Sequence, residues 1–214
     1  MPHTPTTESR HARPGVSRVT RDIAATAQPL SFGDQPDLQA LEAAIGDAQV
    51  VLLGEQNHGD GAAFAVKAQV IEHLHKKLGF DVLAFEADFF ALQRSWDESV
   101  READAGQLSR HVYYFWRDEP QVAPLWNLVQ GRLSSNRPLI VIGIDVRHTG
   151  VYPKSLVADE LESHLASNGV DLNEDWHQFR SLLDSLLEEE YSHRVNAKER
   201  MQFMDALWRL REQL

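Results

Sequence analysis

Three continuously apolar runs, each ending in a carboxylate, constrain this chain more than any other feature. Ala48–Gly54 (AQVVLLG) is followed by Glu55, Asp81–Phe85 (DVLAF) by Glu86, and Pro138–Ile144 (PLIVIGI) by Asp145. A strand with one face in water alternates polar and apolar residues, whereas one buried on both faces of a parallel sheet is apolar throughout. Between the first two runs Phe64, Val66, Val70, Ile71, Leu74 and Leu78 recur at helical spacing, with Asp60 suited to cap the start and Gly79 to end it. Strand, helix and strand in about 40 residues make a βαβ unit with a right-handed crossover. The expected fold class is therefore α/β with a mainly parallel sheet.

Upstream, Asp37–Ile45 reads as a short helix; downstream, Phe89–Val100 and Gln121–Leu133 read as helices, the second started by Asp118-Glu119-Pro120. Beyond Asp145 the strand signals stop. Lys154–Ser167, Asp175–Glu190 and Ala197–Leu214 are helix-like and rich in Leu, Glu and Arg. These signals divide the chain into an N-terminal arm (1–30), an α/β core (31–150) and a helical region (151–214). Three strands make a small sheet with edges that call for further partners, and the last helical pattern has no stop signal. The helical region is expected to be incomplete at its C-terminal end.

The chain carries 21 Lys and Arg against 32 Asp and Glu, a net charge of −11. Binding along a nucleic-acid backbone is driven by clustered cations that displace counterions, so this balance argues against that partner. There is no cysteine, which removes disulfides, thiolate zinc sites and thiol nucleophiles. No apolar run reaches the ~20 residues of a membrane span. The first thirty residues lack the apolar stretch of a secretory signal, and a cytoplasmic location is expected.

In open α/β sheets ligands bind beyond the carboxyl ends of the strands, where Glu55, Glu86 and Asp145 would converge. The loop Gly54-Glu55-Gln56-Asn57-His58-Gly59-Asp60-Gly61 adds a histidine to that rim, and its glycines permit a tight return over the sheet. Imidazole among carboxylates is the usual makeup of a general-base site, because a neighbouring anion raises its proton affinity and fixes its tautomer. A single acid after a buried strand is as readily a helix cap or a solvated turn; Glu55 and His58 together in a glycine-rich loop carry the stronger signal. His73 and His75, among lysines, read as surface residues, and His111, His164, His177 and His193 sit in no motif.

The loop 54–61, then Phe64 and Lys67, then Gly79-Phe80-Asp81-Val82-Leu83-Ala84-Phe85-Glu86-Ala87-Asp88 resemble the erythromycin esterase-like family. The match extends through Phe115-Trp116, Pro124-Leu125 and Ile142-Gly143-Ile144-Asp145-Val146-Arg147-His148-Thr149-Gly150, from about Leu41 to Gly150. The resemblance implies a three-layer α/β/α core followed by a helical portion, and water attack on a carboxylic ester, macrolactones included. It assigns His58 as the base activating water, places Glu55 and Glu86 in the active site, and puts Asp145 and Arg147 in a recurrent segment. The family has further active-site residues, a histidine among them, in a later part of the chain, and no such segment follows here. The partner so implied is a small-molecule ester, and no cofactor is called for.

Three other readings compete. A nucleotide site at Gly59-Asp60-Gly61 is opposed by Phe64, too bulky for close helix packing, and by the negative charge of Asp60 and Glu55. A divalent metal on Glu55, His58, Glu86 and Asp145 would be manganese or magnesium rather than zinc, because the donors are mostly oxygen; relatives with a similar core use metals or haem. A catalytically silent binding module is the non-enzyme reading. There is no Gly-x-Ser-x-Gly elbow of a serine hydrolase and no Walker A loop.

Overall fold

A computed structural model describes residues 14–27, 30–33, 36–54, 57–187 and 196–213. The chain forms two compact units, Met1–Leu52 and Leu53–Leu214. In the first, Pro14–Thr26 is a helix (α1) inside the segment read as an arm, with Val19 and Ile23 exposed. An isolated antiparallel bridge joins Ser31 to Asp37, and α2 (Gln39–Ile45) follows, close to its expected bounds. The expected first strand is not formed. Residues 48–54 have no ladder partner among the described residues, and Val50 and Leu52 are 73% and 90% exposed. A strand exists only where a neighbouring chain satisfies its backbone groups, and apolarity alone does not supply that neighbour.

The second unit begins with the loop carrying His58 and enters α3 (Gly61–His73). Its Asp60 cap accepts from the Ala62 and Ala63 amides, satisfying two of the helix's otherwise unpaired donors. The helix widens into a π-turn over Leu74–Leu78 and stops at Gly79, whose φ of 87° is left-handed. His75, expected at the surface, is fully buried in this turn. Its Nδ1 donates to the Phe80 carbonyl (2.8 Å) while its Nε2 accepts from Arg132 Nε (3.2 Å). Arg137 ties the same corner together, donating to the His75 carbonyl at 2.5 Å and to Asp81 at 2.7 Å.

β1 (Val82–Asp88) leads directly into α4 (Phe89–Glu102). A turn at Leu108–His111, the short α5 (Tyr114–Arg117) and a turn at Pro120–Val122 precede α6 (Ala123–Arg132). β2 (Ile140–Asp145) then pairs in parallel with β1, from Val82↔Ile140 through Phe85↔Gly143 to Asp88↔Asp145, with an irregularity between Phe85 and Asp88. The parallel pairing is as expected, but among the described residues the sheet has two strands rather than three. Leu83, Phe85 and Ala87 on β1 and Val141 on β2 face a core with Phe64, Leu92, Leu125 and Val129 from α3, α4 and α6. The alternate residues Val82 and Ile144 are 54% and 63% exposed. The fold is thus mixed α/β and mostly helical, and a three-layer α/β/α arrangement is not seen among the described residues.

The C-terminal helices α7 (Ser155–Ser167), α8 (Glu174–Leu187) and α9 (Ala197–Arg211) follow the expected pattern closely. They share a second core of Leu165, Val170, Trp176, Phe179, Ala206 and Leu210. A capping box, Asn196 with Glu199, starts α9. Among the described residues no helix is long and apolar enough to cross a membrane.

Candidate active site

Of the residues singled out by sequence, Glu86, Asp145 and Arg147 lie in or just beyond the two strands, towards their carboxyl ends. Asp145 is the last residue of β2, and Glu86 projects from β1 on the exposed face of the sheet, two residues before the strand ends rather than beyond it. His58 stands in the exposed loop before α3, beside Gly59 at φ 123°. Glu55 lies outside the described residues.

Arg147 bonds to both Asp145 and Tyr113. Its amide donates to Asp145 Oδ1 (3.1 Å) and its Nε to Asp145 Oδ2 (3.0 Å). The backbone hydrogen bond from Arg147 is the main cause holding the Asp145 carboxyl below its ordinary range, with the guanidinium adding to it. The guanidinium is itself raised, chiefly by its hydrogen bond to Asp145, with Tyr113 and Glu86 adding in lesser degree. Arg147 Nη2 also donates to the Tyr113 hydroxyl at 3.3 Å.

His58 joins the same rim through aromatic rings. Its imidazole stacks on Phe115, with centroids 4.8 Å apart and planes 11° from parallel. Phe115 in turn stacks on Tyr113 at 5.5 Å and 17°. His58 therefore sits two ring-to-ring steps from the hydroxyl that Arg147 holds. Phe115 is 8% exposed, wedged against Phe64 of α3, and Lys67 lies 5.3 Å from the Trp116 ring centre. The structure pairs Asp145 with Arg147, and stacking runs from His58 through Phe115 to Tyr113, which Arg147 hydrogen-bonds. One face of the His58 imidazole thus rests on an aromatic ring.

Sequence reasoning did not single out Tyr113, and it named Phe115 only within the family resemblance, although Tyr113-Tyr114-Phe115-Trp116 is an aromatic run. It also passed over a buried trio behind the rim. Asp88 accepts from the Ala91 amide (3.0 Å) and the Gly150 amide (2.9 Å), and its Oδ2 lies 2.9 Å from His148 Nδ1. His111 is buried next to them and stacks on Tyr152. Tyr152 donates to Glu98, and burial first, then that bond, pushes its phenol up to about 12. Asp88, His111 and the His148 side chain are buried, and the bonds of Asp88 to Gly150 and Ala91 lock the segment after β2 onto the start of α4. For a metal, Glu86 and Asp145 supply oxygen donors, but among the described residues no three His, Asp or Glu side chains converge to hold an ion.

No family model matches the chain, and no solved structure matches it. It is 32% identical over 123 residues to a Bacillus subtilis (strain 168) protein named "Putative hydrolase YbfO", covering 56% of this chain and 27% of that protein. It is 29% identical over 117 residues to the erythromycin esterase type II of Escherichia coli, covering 53% of this chain and 27% of that enzyme. The aligned stretch is thus about a quarter of the length of the curated relatives it matches. These partial similarities relate about half of the chain to hydrolases, at the level of an erythromycin-esterase-like relationship.

Proposed function

We propose that the chain carries the site of an ester hydrolase in which His58 is the general base. Water attacks the acyl carbon while an imidazole nitrogen of His58 takes its proton. The ester C–O bond then breaks, and the imidazolium returns that proton to the departing alkoxide, giving a carboxylic acid and an alcohol. Arg147, oriented by Asp145, faces the negative charge that develops on the carbonyl oxygen. Glu86 and Glu55 orient the water and the imidazole. The substrate class is a small carboxylic ester, with a macrolide lactone as one candidate. The observation that carries this reading is the linkage of His58 to the Arg147–Asp145 pair through the Phe115 and Tyr113 rings.

The test is hydrolysis of a panel of simple esters and macrolides, followed by mass spectrometry for the gain of water. His58→Ala is expected to lower kcat by about 100- to 10,000-fold, the usual contribution of a positioned general base. Because His58 is exposed, the variant should keep the wild-type circular dichroism spectrum and melting temperature. Turnover within a few-fold of wild type would remove His58 as the base.

A further inference from the structure

The guanidinium of Arg147 is already committed. It gives Nε–H to Asp145 and Nη2–H to Tyr113, and its charge is balanced by the Asp145 carboxylate 3.0 Å away. A cation so neutralised stabilises a new negative charge less than a free one, and only part of its donor fork is left for substrate. A neutral donor at the same edge would make up the difference. The Tyr113 hydroxyl is the group in that position.

We propose that Tyr113 is a second catalytic residue of the site, its O–H donating to the oxyanion formed when water attacks the ester carbonyl. The inference rests on the ester-hydrolysis reading and deepens it. Arg147 Nη2 donates to the phenol oxygen and occupies one of its lone pairs, so the hydroxyl proton points away from the guanidinium. That bond also polarises the O–H, which makes it a stronger donor. The ring is held in place by its stack on Phe115, the ring that carries His58, so base and donor are positioned by one rigid element. Tyr113 is half-buried, so part of the residue remains accessible to solvent. Backbone geometry agrees: Tyr113 is the extended residue that starts α5, at φ −60° and ψ 149°.

Tyr113→Phe removes the hydroxyl and keeps the stacked ring, so the melting temperature should stay near that of wild type. With an ester that the wild-type chain hydrolyses, kcat is expected to fall by about 10- to 100-fold with KM changed less than about twofold, as for loss of one oxyanion donor. The acid limb of the pH–rate profile should not move, because the base is unchanged. Tyr114→Phe, which also loses one hydroxyl, should behave as wild type. Wild-type kcat in Tyr113→Phe beside an inactive His58→Ala would overturn the Tyr113 role and leave the hydrolase reading standing. If the wild-type chain hydrolyses no ester, the hydrolase reading falls, and titration with an alkylphosphonate monoester, a stable tetrahedral anion, decides the donor role. Binding at least about tenfold weaker in Tyr113→Phe upholds a donor facing an anion; equal affinity, or no binding by either protein, overturns it.

Discussion

His111 is 4% exposed, stacks on Tyr152 and accepts from the Val151 amide at 3.4 Å, so the neutral ring is the form that fits. Burial is the main cause lowering its pKa below that of a free imidazole. Asp88 and Glu98 oppose the shift, while Arg110 and His148 add to it. A group with a depressed folded pKa binds fewer protons in the native than in the unfolded state. Its contribution is therefore present above the unfolded value of about 6.5 and is lost as pH falls through the folded value. The melting temperature is expected to drop between about pH 7.5 and pH 5, and to drop less in His111→Gln, which lacks the titration. Scanning calorimetry of both proteins at the two pH values checks this; an equal drop in both would rule it out. Sequence placed His58 in a glycine-rich loop and Asp145 at a strand end, and both stand at those positions, because turn glycines and strand ends are local signals. The burial of His75 and His111 was not legible, because their surroundings come from Arg132, Asp88 and Tyr152, distant in sequence.

At the scale of elements, helices were read well because periodicity and caps are local. Asp60 and Gly79 bracket α3 with its π-turn as expected, and the three C-terminal helices agree within a few residues. Strands depend on partners, which explains why 81–88 and 138–145 paired while the equally apolar 48–54 did not. The pairing of β1 and β2 rests on one position that only the structure discloses. A Cβ at Gly143 would lie 2.5 Å from the Ala87 carbonyl oxygen, backbone that cannot swing aside, just where the register of β1 is irregular. Gly143→Ala is expected to cost about 2–3 kcal/mol, in the range of overpacking. Gly131 makes the contrast, since it lies in α6 with nothing near its absent Cβ. Gly131→Ala should stabilise by about 0.5–1 kcal/mol through helix propensity. Urea unfolding of the pair reads both signs; equal midpoints would remove the close-approach argument.

For the whole molecule, charge and apolar surface act against each other. The net charge of −11 makes copies of the chain repel, which opposes association. The chain also exposes large apolar side chains. On β1 and β2 these are Val82 and Ile144, with Val146 (82% exposed) just beyond the strand end, and on α9 they are Met201, Met204 and Trp208. A cavity of about 280 Å³ is lined by Met204 and Trp208 of this set together with Leu161, Leu165, Phe179 and Leu207. Surfaces of this kind attract one another once repulsion is screened, and the screening length shrinks to about 3 Å at 1 M salt from about 10 Å at 0.1 M. Sedimentation velocity is therefore expected to show larger species in 1 M than in 0.1 M sodium chloride. The double variant Met204→Lys and Trp208→Glu should reduce that growth without changing net charge, since one substitution adds a positive charge and the other a negative one. It removes apolar area from α9 but leaves Ala206 and Leu210, the helix's buried contacts, in place. Identical growth in the variant would shift the attraction to the uncovered sheet face, and Ile144→Thr would then be the substitution that abolishes it.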